Sequence, residues 1–157
     1  MIKPRRFDEN PLITPDDVKP SRDDFEVMCA FNPAAFKVDD EYRLLLRVAE
    51  RPPQEEGYLT TPVLDPEKPG EYRIMRFDIN TPGLDLADPR LFSLNHVEYL
   101  TSISHLRMAR STDGRNFTID EQPLVTGSEP YEVYGVEDPR VTYLAEEGRW
   151  QIGRAHV

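Results

Sequence analysis

Proline occupies 15 of the 157 positions, and the prolines are spread from one end of the chain to the other. Each removes a backbone donor and clashes with the preceding turn of any helix that would run through it. At about twice the usual share, they leave room for short extended segments joined by turns, not for long helices. No stretch shows a convincing amphipathic-helix period.

The apolar residues mark where those segments fall. Asn10 to Pro15 reads as a short extended piece, and Asp16 to Asp24 as a polar loop. Val27 to Phe31 is a continuous apolar run, as in a buried strand; Asn32-Pro33 interrupts it and 34–38 continues it. Asp39-Asp40-Glu41 then turns the chain into Tyr42 to Val48, a hairpin pattern. Pro52 to Gly70 reads as an exposed loop, Tyr72 to Ile79 as a half-buried strand, and the residues through Pro89 as another loop. Leu100 to Arg110 is the next strand, with Asn116 to Ile119 returning after the Asp113-Gly114 turn. Tyr131 to Val136, Arg140 to Leu144 and Arg149 to Ile152 complete the set.

The formal net charge of −10, with no relieving run of Lys and Arg, disfavours nucleic acid and anionic membranes as partners. A neutral partner such as a sugar remains compatible. Cys29 is the lone cysteine, which rules out an internal disulfide or a Cys-based metal site and fits a cytoplasmic location. Met1 to Asn10 is charged and carries no apolar stretch of the signal-peptide kind. No apolar run approaches the roughly 18 residues that span a membrane.

The residues with most chemical content are Gly135-Val136-Glu137-Asp138-Pro139-Arg140. Two adjacent carboxylates precede a proline that fixes the backbone and an arginine that could hold one of them. Neighbouring charge and partial burial are what raise a carboxylate into the range of a working proton donor. Asp-Pro also opens ordinary turns, so the hexapeptide needs company. Arg47 ends an apolar strand, where a buried charge requires a partner: a ligand, Glu50, or another acid. Asn32 interrupts a buried run, and its amide suits a sugar hydroxyl or a hydrogen bond at the hairpin edge. His105, flanked by apolar residues, reads as a core histidine, and Trp150 as a packing residue. Glu137 does not suit the role of a second catalytic group beside Asp138, because neighbours on a regular strand point to opposite faces; it reads instead as the partner of an arginine.

A weak internal repeat adds a clue to architecture. The stretch from Asn32-Pro33 lies over that from Asp138-Pro139, each running Asx-Pro, strand, acidic turn, strand. The offset of 106 residues equals two periods of 53, near the ~40–50 residues of one propeller blade. A β-propeller is the reading this favours; a β-sandwich of about eight strands competes with it.

Taken together, Phe31-Asn32-Pro33-Ala34-Ala35, Leu44 to Pro52, Ser104 to Gly114 and Gly135 to Arg140 resemble glycoside hydrolase family 130, the β-mannoside phosphorylases and related β-mannosidases. The resemblance runs from about Asn10 to Arg149. It implies an all-β fold, a five-bladed β-propeller with its active site in the central funnel. It also implies inverting cleavage of β-mannosides, β-1,2-linked manno-oligosaccharides in particular, by inorganic phosphate to give mannose 1-phosphate. Asp138 matches the proton donor; Asn32 and Arg47 match contacts to the mannosyl unit, and Arg140 sits where it could orient the acid. Phosphate is a co-substrate, with no metal or organic cofactor implied, and a homo-oligomer is possible at full length. Alternatives are a β-mannosidase of the same fold, which uses water, and a non-catalytic carbohydrate-binding propeller or inactive fragment.

Five blades need at least ~250 residues. Residues 1–151 are therefore expected to be the N-terminal part of a single β-propeller catalytic domain, covering about its first two to three blades. Residues 152–157 break the strand pattern begun at Arg149 and read like translated sequencing-adapter DNA, so they are expected to be a non-native tail. A partial propeller leaves sheet edges exposed, and no activity is expected from these residues alone.

Overall fold

The computed structural model describes residues 3, 5–68, 70–88 and 90–156. Pro89 and Val157, which the sequence assigns to a loop and to the tail, lie outside them. The described residues are all-β apart from one 3-10 turn at Pro15–Asp17. The strands are β1 (Glu26–Val38), β2 (Glu41–Arg51), β3 (Tyr58–Leu64), β4 (Tyr72–Asp78), β5 (Leu84–Asp88), β6 (Leu91–Leu94), β7 (Val97–Leu100), β8 (Ile103–Ser111), β9 (Thr118–Ile119), β10 (Val136–Leu144) and β11 (Arg149–His156). No helix among them is long and apolar enough to cross a membrane.

The central sheet has the order β1-β2-β8-β9, antiparallel throughout. β2 pairs with β8 from Tyr42–Ser111 to Glu50–Ile103, so everything between Arg51 and Ile103 is an insertion into one sheet. That insertion holds the β3–β4 hairpin and the β5-β6-β7 meander. Phe77 on β4 packs its ring 5.2 Å from Phe92 and 5.1 Å from Tyr99, joining the two small sheets. β10 and β11 form a separate hairpin.

Apolar residues bury the central sheet on both faces. On one face Leu45, Leu106, Met108 and Ala34 pack against Val136 of β10, with Phe36 and Val141 beside them. On the other, Leu46, Val48 and Ala109 pack against Val18 of the N-terminal segment. Burying one such Leu or Val contributes about 1.5–3 kcal/mol, so the first cluster is what docks β10–β11 on the sheet. Trp150 adds to it, with its ring 5.2 Å from that of Phe36 on β1, the packing role its sequence context suggested.

Gly135 sets how close that docking is. It has φ +90, and a Cβ there would overlap the Ser104 carbonyl on β8. Ser104 N–H donates to the Tyr134 carbonyl at 3.1 Å, in a short parallel bridge between the two segments. Only glycine lets the strand carrying Asp138 approach β8 this tightly.

The N-terminal segment is pinned by a buried ionic group on the second face. Glu50, His105 and Arg107 are all buried. Glu50 accepts from the Ser21 N–H at 2.9 Å and from its hydroxyl, and Arg107 donates to the Lys19 carbonyl at 2.5 Å. Burial and the charge of Arg107 push His105 down to about 3. It is a core histidine, as expected, though its Nε2 has no partner among the described residues.

Several sequence expectations change here. Pro52 to Gly70 is not all loop: β3 runs through it, and Pro62 is tolerated because a two-stranded sheet leaves one edge unpaired. The strand β5 lies where a loop was expected, and β6 and most of β7 fall between Pro89 and Leu100, where no element was expected. Tyr131 to Tyr134 is turn, not strand, as the Glu132 carboxylate collects the backbone N–H groups of Ser128 and Glu129 at 2.9 and 3.1 Å; only Gly135, in a bridge, and Val136, the first residue of β10, are extended. The strand begun at Arg149 does not break at Ile152 but pairs with β10 to His156. Finally, the 106-residue offset is one step and not two. It leads from the first strand of the central sheet to the first strand of the next, and the insertion accounts for its length. The described residues form one four-stranded sheet, one three-stranded sheet and two two-stranded sheets.

Candidate active site

Asn32 and Asp138 sit in matching backbone irregularities. In β1 the register jumps between Phe31, opposite Arg47, and Ala34, opposite Leu45; in β10 it jumps between Glu137, opposite Ala155, and Arg140, opposite Gly153. In each strand an Asx-Pro pair thus faces a single residue, a β-bulge. Proline cannot donate to the ladder, which favours the interruption. Both Asn32 and Asp138 have φ 44, in the left-handed region that Asn and Asp tolerate better than other non-glycine residues.

The bulges bring the two side chains together. Asn32 Nδ2 donates to Asp138 Oδ1 at 3.2 Å. Arg47, on β2, reaches the same oxygen with Nη1 at 3.3 Å and Glu137 with Nη2. Its Nε donates to Ser104 Oγ at 3.2 Å, and its guanidinium lies over the Phe31 ring, 4.5 Å from the centroid. Arg47 is therefore held on every nitrogen and braces both carboxylates. Its acid is not Glu50, which lies on the opposite face of β2.

The pairing of Glu137 with an arginine agrees with the sequence reading, but the geometry differs from that of a regular strand. The left-handed backbone at Asp138 turns its side chain to the same guanidinium that Glu137 holds. Exposure separates the two acids: the Glu137 side chain is 17% exposed and that of Asp138 44%. Burial pushes the Glu137 carboxyl up, Arg47 opposes the shift, and the charge of Asp138 adds to it. Glu137 is thus the half-buried anchor, and Asp138 is the carboxylate more open to a ligand.

Arg140 does not reach Asp138. Its Nη1 donates to the Pro139 carbonyl at 2.9 Å, and its exposed side chain lines a groove of about 500 Å³ between β1 and β10, shared with Asn32. Bracing of the acid falls to Arg47 instead. Sequence reasoning missed Ser104 and Phe31 as supports of Arg47. The one available signal was position, since Ser104 opens the motif Ser104 to Gly114 and Phe31 precedes the bulge. Among the described residues no group of three or more His, Cys, Asp or Glu gathers as a metal site would require.

Comparison with known proteins fits this arrangement. No protein-family model matches the chain. It is 41% identical over 145 residues, 90% of its length, to the β-1,2-mannobiose phosphorylase of Listeria innocua serovar 6a. A solved structure of a β-1,2-mannobiose phosphorylase from Listeria innocua, in complex with β-1,2-mannobiose, superposes with a TM-score of 0.87 at 38% identity, covering 97% of this chain and 44% of that one. The all-β chain thus shares the fold of that solved structure over the part of it that the chain covers. The resemblance to glycoside hydrolase family 130 is borne out: the chain is homologous to a β-1,2-mannobiose phosphorylase along nine-tenths of its own length. It spans 41% of that relative.

Proposed function

We propose that this chain is the N-terminal part of a cytoplasmic β-mannoside phosphorylase that cleaves β-1,2-linked manno-oligosaccharides with inorganic phosphate, releasing mannose 1-phosphate with inversion. The observation that carries the reading is the joint placement of Asn32, Arg47 and Asp138 on a chain with this degree of identity to a mannobiose phosphorylase. In this reading the β1-β2-β8-β9 sheet is one blade of a five-bladed propeller. The β10–β11 hairpin is then the inner half of the next blade, and both bulges face the central funnel.

The chemistry follows from the braced pair. Asp138, the more exposed carboxyl, gives its proton toward the departing glycosidic oxygen, through a substrate hydroxyl. Glu137, half-buried, fixes Arg47, which with Asn32 holds Asp138 in place and offers donors to the mannosyl hydroxyls. Arg140 contributes a further donor along the groove. Phosphate acts as the nucleophile, so no second carboxylate is needed as a base, and no organic or metal cofactor is called for.

The test is made on the full-length gene product. Incubation with β-1,2-mannobiose is expected to yield mannose 1-phosphate and mannose only when phosphate is present. Free mannose as the sole product, formed at the same rate without phosphate, would make the protein a β-mannosidase. No turnover at all would leave a carbohydrate-binding protein.

A further inference from the structure

One cation faces two carboxylates in the site. Arg47 reaches Asp138 Oδ1 with Nη1 at 3.3 Å and grips Glu137 with Nη2. It is not free to swing away, because Ser104 Oγ takes its Nε at 3.2 Å and its guanidinium lies over the Phe31 ring. Arg47 and Glu137 are equally shielded from water, and Asp138 is much less so. Charges in a shielded pair attract more strongly than across water, so Glu137 takes the larger share of Arg47.

That division bears on the proton. A general acid must hold its proton at the pH of turnover, yet an opposite charge within about 4–6 Å favours the ionised carboxylate. Left alone with Asp138, the bracing arginine would disarm the acid it braces. Glu137 removes the conflict, because it neutralises the guanidinium and sets a like charge beside Asp138. Among the described residues the other neighbours do not supply this. Asn32 and Ser104, which touch Asp138 and Arg47, are neutral. Arg140 lines the groove shared with Asn32. Arg51 and Arg90 line a cleft with Glu137, but each has its own acid, Glu26 at 2.7 Å and Asp88 at 2.6 Å.

We infer that Glu137 is a positioning residue for proton transfer: by neutralising Arg47 it lets Asp138 keep its proton, and so sets the alkaline limit of turnover. The inference rests on the phosphorylase reading, with Asp138 as its acid.

The test uses Glu137→Gln in the full-length protein, which keeps the shape and an acceptor for Arg47 but removes the charge. The alkaline limb of kcat/KM for β-1,2-mannobiose is expected to move about one pH unit lower, the small end of the effect of an opposite charge left uncompensated. Turnover above the limb then falls about ten-fold, and the loss shrinks toward acid pH. Phosphate titrates alike with parent and variant, so the difference belongs to the enzyme. A dinitrophenyl β-mannoside, whose leaving group needs no proton, should show no such shift. Arg47→Gln removes the opposing charge and should move the mannobiose limb the other way. A loss uniform across pH, with the limb in place, overturns the inference and leaves the phosphorylase reading intact, since Glu137 is then a mechanical brace. An equal shift with the aryl mannoside also overturns it. Should Glu137→Gln fail to fold, Arg47→Gln decides: a raised limb supports the inference, and an unmoved limb or loss of all turnover overturns it. Absence of phosphate-dependent turnover in the parent removes the reading and the inference together.

Discussion

At Asn32 the chain leaves the β1–β2 ladder for an Asx-Pro pair, and at Asp138 it leaves the β10–β11 ladder in the same way, with the same φ of 44. The surroundings differ. The first bulge lies in a four-stranded sheet buried on both faces, and the second in a two-stranded hairpin docked on that sheet. The first presents an amide, which can only donate or accept hydrogen bonds. The second presents a carboxyl, which can also move a proton. One backbone device thus occurs twice, and the side chain it aims sets which chemistry is open to it. Arg47 ties the two together, since it springs from the strand opposite the first bulge and grips the acids of the second.

The most severe way to break the comparison is to make the two bulges chemically alike. Asp138→Asn places an amide in both, and turnover of β-1,2-mannobiose by the full-length protein is expected to fall by about 10²–10⁴-fold, the range for a general acid. Next in size is the loss of the close approach that sets one bulge beside the other. Gly135→Ala would drive a Cβ into the Ser104 carbonyl, and thermal unfolding should show a loss of about 1–3 kcal/mol, as for an overpacked site. Gly153→Ala on β11, where the nearest atom is 4.0 Å away, should cost far less and serves as its control.

A smaller effect sharpens the comparison from the first bulge. Asn32→Ala removes a donor without touching the acid, so the KM for mannobiose should rise about ten-fold, as for one lost hydrogen bond, while kcat changes less. Equal losses in kcat and kcat/KM would assign Asn32 to the transition state instead.

A separate effect, on stability and not on turnover, lies on the far face of the sheet. His105 titrates at about 3 when folded and near 6.5 when unfolded. Between those values the unfolded chain binds a proton that the folded chain refuses. Its contribution to stability is complete above pH 6.5 and is lost as the pH falls toward 3. One pH unit within that window is worth up to about 1.4 kcal/mol. Replacing His105 by Leu should flatten the fall in Tm between pH 6.5 and 4.5.

What the sequence made legible was local. The Val27–Val48 hairpin, the Asp113-Gly114 turn and the hexapeptide at Gly135 each rest on residues close together in the chain. The insertion was hidden because β5, β6 and β7 are only four or five residues long and the turns between its strands are rich in Pro, Gly and acids, so the segment reads as loop. Its concealment turned one structural step of 106 residues into two. The Arg47–Glu137 pair was half legible. An acid for Arg47 was required by burial, but choosing Glu137 and Asp138 together needed the left-handed bulge, which overrides the alternation of a regular strand.

The most direct measurement of the central claim compares Asp138→Asn on two substrates in the full-length protein: β-1,2-mannobiose, whose leaving oxygen needs a proton, and a dinitrophenyl β-mannoside, whose leaving group does not. If Asp138 is the proton donor, phosphorolysis of mannobiose collapses while that of the aryl mannoside stays near the wild-type rate. An equal collapse on both would contradict the account, making Asp138 a residue that holds the sugar and placing the acid elsewhere.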